Sequence, residues 1–180
     1  TPATARHLAT KLARHFIADD PPQSAVQRIA SAYSRSGGEL AAVYDALIDA
    51  PEAWRDPVAK FKTPADYVHS IYRGLQLPVP EGQQALVAFE QLGQRQFMPG
   101  SPAGWPDRSA DWDGSAALMK RIEFADAVAQ RVGNARDAAA LAPQLLGDTL
   151  NGATREAMVR AATGVQALTL LLTAPEFMRR

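Results

Sequence analysis

The sequence predicts an all-α protein, an irregular bundle of about eight or nine helices without a sheet, interrupted by one long loop. Apolar residues recur three or four positions apart along most of the chain, which is the spacing of one buried helix face. No segment shows the sustained alternation with β-branched residues that is typical of a strand. Neither pattern occurs between Phe97 and Gly114, a segment with three prolines, three glycines, two tryptophans and three aspartates.

Five helices are predicted before this loop. The apolar spacing places them at about residues 3–18, 21–36, 40–50, 64–75 and 81–92. Asp20 is the predicted N-cap of the second helix, with Pro21 in the first position. Thr63 and Asp66 resemble a capping box at the start of the fourth. The third and fifth helices are predicted to use these apolar positions: Leu40, Val43, Tyr44, Leu47 and Ile48, and then Ala85, Leu86, Phe89 and Leu92.

Four helices are predicted after the loop, at about residues 115–132, 134–146, 154–163 and 165–173. Asp113 and Asn134 are the predicted caps of the first two, and Pro143 is expected to bend or split the second. The last is rich enough in leucine to predict burial on more than one side. We expect a single helical domain over residues 1–180, with helices in 1–96, the loop at 97–114 and the C-terminal helices in 115–180.

Composition excludes several classes of function. Lys plus Arg and Asp plus Glu are both 19, so the formal net charge is zero, which argues against a nucleic-acid binder. The absence of cysteine excludes thiol nucleophiles, disulfides and cysteine-ligated metals. No apolar run reaches the ~18 residues of a membrane span. The start of the chain has no signal-peptide pattern. Because it begins at Thr1 without methionine and opens almost directly into helix-like sequence, we expect a processed product or a fragment of a longer protein.

The histidines do not predict a metal or catalytic site. His7 and His15 share a helix face, but two turns of helix place them ~12 Å apart, too far for one ion. Lys11 lies between them, so we interpret this face as a basic surface. His69 has no acidic neighbour in sequence and is expected to be a partly buried structural residue.

Two further motifs fail on spacing. The segment 100–104 has its serine one position too early for a nucleophile elbow, and no strand precedes it. Asp111, Asp113 and Gly114 fit part of an EF-hand loop, but Lys120 occupies the position of the final carboxylate. The sequence therefore predicts no catalytic residue, no bound metal and no cofactor in this chain.

The loop tryptophans are the best candidates for a contact surface. Trp105, Asp107, Asp111 and Trp112 combine indole rings with carboxylates, a composition found in sugar-binding and peptide-binding surfaces. The alternative is that the tryptophans fix the loop to the helical core, because each ring can bury about 150–250 Å². Trp54 is expected to be structural, and residues 60–62, Lys-Phe-Lys, to be a surface linker.

Several segments together resemble one bacterial family. They are residues 1–16, the turn from Leu47 to Trp54, residues 92–97, the Gly-Trp-Pro sequence at 104–106 with Trp112, and the ending Leu171 to Met178. They look like the C-terminal portion of the domain-of-unknown-function 1800 family. Met98 to Ser101 departs from the family, which usually has a pair of prolines there.

The resemblance implies a longer, mostly helical protein that is exported across the inner membrane, to the periplasm or beyond. It also implies two possible partners, the upstream part of the same protein and an exported, sulfatase-like neighbour protein. It implies no established activity. We therefore interpret the chain as a helical binding or scaffold domain of an exported bacterial protein. The alternative is a structural lobe of an enzyme or metal-dependent protein whose working residues lie upstream of Thr1.

Overall fold

The structure is a computed structural model that describes residues 1–54, 60–78 and 81–180, with the backbone alone at residue 85. These described ranges form nine α-helices and no sheet, which confirms the all-α prediction. In chain order, α1 to α9 are Pro2–Phe16, Gln23–Arg35, Leu40–Ile48, Pro64–Gly74, Gln83–Gln91, Ser115–Val132, Ala138–Leu146, Gly152–Val159 and Gly164–Leu172. None of these helices is long and apolar enough to cross a membrane.

Side-chain caps start five of the described helices, beginning with α1, where the Thr1 hydroxyl accepts from the Thr4 amide. The predicted capping box of α4 is confirmed: the Thr63 hydroxyl accepts from the Asp66 amide, and the Asp66 carboxylate accepts from the Thr63 amide. Asp137, Asn151 and Thr163 each accept a backbone N–H at the start of α7, α8 and α9. These bonds satisfy amides that have no partner within the helix.

Three predicted caps are wrong, each because another local structure intervenes. α2 begins after Pro22 instead of Asp20, since a second proline keeps Pro21 out of the helical conformation. The Trp112 amide closes a short 3₁₀ turn by donating to the Ser109 carbonyl, to which the Asp113 amide also donates, so Gly114 becomes the N-cap of α6. Gly133 starts another 3₁₀ turn, which displaces the cap of α7 from Asn134 to Asp137.

Pro143 does not split α7, which runs unbroken through it. The fifth helix begins at Gln83, later than predicted, and buries Phe89 and Leu92 while Leu86 is exposed. The side chain of Ala85 lies outside the described residues. α8 ends at Val159, four residues earlier than expected.

The chain divides into two compact units, residues 1–60 and 61–180. The first contains α1, α2 and α3 around a core of small and branched apolar side chains: Ala9, Ala13, Ile17, Ala25, Val26, Ile29, Val43 and Leu47. Lys60 is buried in this unit, and its Nζ lies 2.5 Å from Asp19 Oδ1. The interpretation of residues 60–62 as a surface linker is therefore wrong. Whether the chain acts as one domain stays a prediction.

The second unit is built around α9. This helix packs against α6, α7 and α8, and Leu168, Leu171 and Leu172 are fully buried, which confirms the predicted burial on more than one side. Before α4, Phe61 forms an isolated antiparallel bridge with Arg179, and the Lys62 amide donates to the Met178 carbonyl. This bridge brings the C-terminal turn beside the start of α4.

Candidate functional site

The predicted loop is irregular apart from a 3₁₀ turn at Ser109–Asp111, and its two tryptophans lie together. Trp112 is buried in the core of the second unit, and its Nε1–H donates to the Pro106 carbonyl at 3.1 Å. Trp105 is half-buried against the same core, with its ring centroid 6.0 Å from that of Trp112. The two rings therefore attach the loop to the helices.

The loop carboxylates belong to no cluster of metal-ligating side chains among the described residues. Asp107 is half-buried and Asp111 is exposed. No group of three or more metal-ligating side chains occurs among the described residues. The most exposed apolar side chain of the loop is Phe97, 93% exposed at a backbone φ of 60° that bulky residues seldom adopt. The binding role of Trp105, Asp107, Asp111 and Trp112 stays a prediction.

A polar groove of about 490 Å³ lies along one face of α4 in the second unit. Asp66, His69, Ser70 and Arg73 line it at the spacing of adjacent helix turns. Lys62, just before the helix, also faces it. Phe177 from the C-terminal turn and Leu145 from α7 supply its apolar wall.

Lys62 is held in this groove by the C-terminal turn. Its Nζ donates to the Phe177 carbonyl at 2.6 Å and lies 4.3 Å from the centre of the Phe177 ring. Burial lowers the pKa of Lys62 from 10.5 to about 8, an effect that Asp66 opposes and Arg121 and Arg180 reinforce. Lys62 is thus a cation that has lost much of its hydration.

Asp66 is the carboxylate among the groove-lining residues, and it is already engaged. Its Oδ2 accepts from the Thr63 amide and hydroxyl and lies 3.1 Å from Nη1 of Arg180. By contrast, Arg73 and Ser70 have no side-chain hydrogen bond or ion pair with the described residues. The groove therefore offers more donors than acceptors.

Arg121 fixes the backbone behind the groove. Its side chain is 1% exposed, with the guanidinium between the Phe61 and Tyr67 rings at 4.4 and 4.8 Å. Nη2 donates to the Lys62 carbonyl at 2.6 Å, while Nη1 has no hydrogen-bond partner among the described residues. Burial lowers the pKa of Arg121 to about 10, so it is still protonated at neutral pH. Burial also raises the pKa of Tyr67.

The first unit carries an exposed apolar surface, which we name the α3 face: Leu40, Tyr44, Ile48 and Trp54. Leu40, Tyr44 and Ile48 are one helical turn apart on α3, and the four side chains are between 46% and 73% exposed. Trp54 ends the 3₁₀ turn Pro51–Trp54, and its Nε1–H donates to the Ile48 carbonyl at 2.6 Å. This bond places the indole at the end of the stripe.

Carboxylates accompany the α3 face. Asp45 and Asp49 are exposed on the adjacent strip of α3, one position further around the helix, and Glu39 is exposed at its start. Residues 39–54 contain four acidic residues and neither lysine nor arginine. The α3 face is therefore apolar with a negative border.

The comparison with known families agrees with the segments that carry the resemblance. The model of the family described as "Protein of unknown function (DUF1800)" matches residues 1–179. The chain belongs to this family. No curated protein and no solved structure matches it.

Two expectations about single aromatic residues in the DUF1800 chain are wrong. Trp54 was expected to serve packing but is 73% exposed. His69 was expected to be partly buried but is exposed, with its ring centroid 5.5 Å from that of Phe89. The sequence Ala-Pro-Glu occurs at 50–52 and again at 174–176, and the aromatic residues that follow differ in burial: Trp54 is exposed and Phe177 is buried.

No sequence motif identifies the α4 groove of the DUF1800 chain. Its side chains come from residues 62–74, 145 and 177, which are adjacent only after folding. The sequence contains one indication of it: Asp66, His69, Ser70 and Arg73 are three or four positions apart, so they share one face of the predicted fourth helix. The α3 face could not be found from the pattern either, because its apolar positions follow the spacing of one buried stripe.

Proposed function

We propose that the DUF1800 chain is a protein-binding domain that uses the α3 face to recognise a basic amphipathic helix of its partner. The observation that carries the proposal is the exposed stripe of Leu40, Tyr44, Ile48 and Trp54 beside a border of exposed carboxylates. A contiguous apolar patch with a polar rim is typical of an interaction surface, whereas single exposed apolar residues are not.

The shape of the surface favours a helix as the occupant. Side chains one turn apart form a ridge that fits between the ridges of a second helix. Tryptophan and tyrosine, the residue types of Trp54 and Tyr44, are enriched among the hot-spot residues that supply most of the binding energy of an interface. The indole is already oriented by its bond to Ile48, so little conformational entropy is lost when a partner covers it.

The charge of the surface favours a basic partner. Glu39, Asp45 and Asp49 have no side-chain hydrogen bond or ion pair with the described residues, so their charges are available to lysine or arginine across an interface. Such charges at a rim contribute mainly to association rate and partner choice. Because the face has only four large apolar side chains, we expect a dissociation constant weaker than about 1 µM.

A designed peptide tests this proposal directly. The probe is a helical peptide of about five turns with a leucine stripe bordered by lysines, titrated into the full chain by fluorescence anisotropy. We expect binding that weakens with added salt. The double substitution Tyr44→Ser and Ile48→Ser should reduce affinity at least about tenfold, and so should Asp45→Lys with Asp49→Lys.

Two controls make the result specific. Val159→Ser removes an exposed valine of α8, and Asp148→Lys reverses an exposed charge elsewhere, so both should bind as the unchanged chain does. A second peptide with the same leucines and glutamate in place of lysine should bind far more weakly. Equal binding of both peptides, or an undiminished affinity in the Tyr44/Ile48 variant, would refute the proposal.

The other functional expectations stay predictions. They are a partner contact at the 97–114 loop, export, the upstream region and a sulfatase-like protein as partners, and the alternative role as a lobe of an enzyme. The loop is the weaker candidate surface, because burial of Trp112 and the half-burial of Trp105 leave little indole area for a ligand.

A further inference from the structure

We propose that the α4 groove of the second unit binds an oxyanion, a carboxylate or phosphate group, carried on an apolar body that packs against Phe177 and Leu145. This site is separate in sequence and chemistry from the α3 face, so neither proposal depends on the other.

Unused donors supply the first argument. Lys62 Nζ has three N–H bonds and one acceptor among the described residues, the Phe177 carbonyl. Arg73 and Ser70 have no side-chain partner there, and both face the same groove. A planar guanidinium, an ammonium and a hydroxyl around one cavity are the donor types that proteins use for carboxylate and phosphate.

The charge balance supplies the second argument. Among the described residues, Asp66 forms no ion pair with Lys62 or Arg73; its Oδ2 instead bonds Thr63 and lies 3.1 Å from Nη1 of Arg180. The charge of Asp66 raises the pKa of Lys62, but burial lowers it by more. A partly desolvated cation without a contacting counter-charge is destabilised, and the lowered pKa of Lys62 expresses this cost. An anion in the groove would offset it.

The wall of the groove supplies the third argument. Phe177 presents its ring to the ammonium of Lys62, and Leu145 lies close against α4 where Gly74 has no side chain. A Cβ at position 74 would lie 2.9 Å from Leu145 Cδ2. Pockets that combine an apolar wall with a few convergent polar groups are the usual form of small-ligand sites.

Calorimetric titration of the full chain with three small aromatic probes tests the proposal. Phenyl phosphate and benzoate carry the two oxyanions, and benzamide is their neutral analogue. We expect both anions to bind at one site and benzamide to show no binding. The tighter of the two anions then identifies the preferred oxyanion.

Substitutions locate the site. Arg73→Met and Lys62→Met should each weaken anion binding about tenfold or more, as expected for the loss of a charge-assisted hydrogen bond. Arg155→Met and Lys120→Met remove the same charges from exposed positions elsewhere and should change affinity less than about twofold.

Arg73→Met is the decisive variant, because Arg73 is exposed and its side chain has no hydrogen bond or ion pair with the described residues. Circular dichroism melting of each variant shows whether it is folded. The proposal is overturned if neither anion binds, if benzamide binds as tightly as benzoate, or if folded Arg73→Met binds both anions like the unchanged chain.

Discussion

Trp54 and Trp112 make the same local hydrogen bond in opposite environments. Each indole N–H donates to the carbonyl six residues earlier, Ile48 for Trp54 and Pro106 for Trp112. Trp112 is 6% exposed and Trp54 is 73% exposed. The bond therefore orients both rings, while only Trp112 gains free energy from burial.

Substituting these two tryptophans separates the roles. We expect Trp112→Ala to lower the free energy of unfolding by about 3–5 kcal/mol, the usual cost of removing a large buried aromatic. Trp54→Ala should change it by less than about 1 kcal/mol, because its ring is largely in water. Urea denaturation measures both. If the two substitutions lowered the free energy of unfolding by the same amount, the Trp54 ring would not be exposed as described.

Lys62 should make stability depend on alkaline pH. Its pKa is about 8 in the folded chain and 10.5 without burial, so between these values the unfolded state binds more protons. Stability must then rise with pH across this window. Relative to Lys62→Met, the unchanged chain should gain on the order of 2 kcal/mol between pH 7 and pH 10.

Urea denaturation of both proteins at the two pH values gives this difference, in which contributions of other groups cancel. Lys120→Met provides the comparison for the loss of an exposed lysine of the same unit. A Lys62 difference that stays constant or reverses between pH 7 and pH 10 would contradict a lowered pKa.

At the scale of elements, helix positions could be predicted from the sequence better than their starts. The apolar spacing identified each of the nine helices in the described residues, because it is set by core burial along each element. The starts at Asp20, Asp113 and Asn134 were wrong because a second proline or a 3₁₀ turn displaced the helix. The start at Thr63 was correct, and there Thr63 and Asp66 form a capping box in which each side chain accepts from the other's backbone amide.

Gly133 gives a test of how α6 ends. It has φ 56° and ψ −135°, a region open to glycine and strained for other residues, although a Cβ there would meet no atom within 4 Å. We expect Gly133→Ala to cost about 1–3 kcal/mol of stability from backbone strain alone.

Gly152→Ala is the matched control, since Gly152 opens α8 at a negative φ and also has open space around it. Alanine there should leave the melting temperature unchanged or raise it slightly. If both substitutions have the same effect on thermal melting, Gly133 is not strained as described.

The third helix shows where the pattern alone was insufficient. Five apolar positions correctly predicted α3, but only Val43 and Leu47 face the core. Periodicity identifies the apolar face of a helix. It does not show whether other residues of the same chain cover that face. The exposed Leu40, Tyr44 and Ile48 therefore required the tertiary structure.

At the scale of the whole molecule, the two units have separate hydrophobic cores, with no residue in common. We expect residues 61–180, expressed without 1–60, to unfold in one cooperative transition, since this unit is of ordinary domain size and has its own core. Circular dichroism melting provides the measurement. A non-cooperative melt would instead favour the single domain that the sequence predicted.

Much less of the functional surfaces than of the fold could be predicted. The loop stood out because its composition is irregular, yet two of its four candidate residues, Trp105 and Trp112, pack against the core. The α4 groove depends on Lys62 and Phe177, which are far apart in sequence and meet through the bridge of Phe61 with Arg179. No short motif encodes such a contact.

Fluorine NMR of the full chain with fluorotryptophan at its three tryptophan positions tests the central claim most directly. Single Trp→Phe variants assign the resonances, and the basic amphipathic peptide is then titrated. We predict that the Trp54 resonance shifts and returns with added salt, while those of Trp105 and Trp112 stay in place. A shift at Trp105 or Trp112 without one at Trp54 would contradict binding at the α3 face and place the partner on the loop instead.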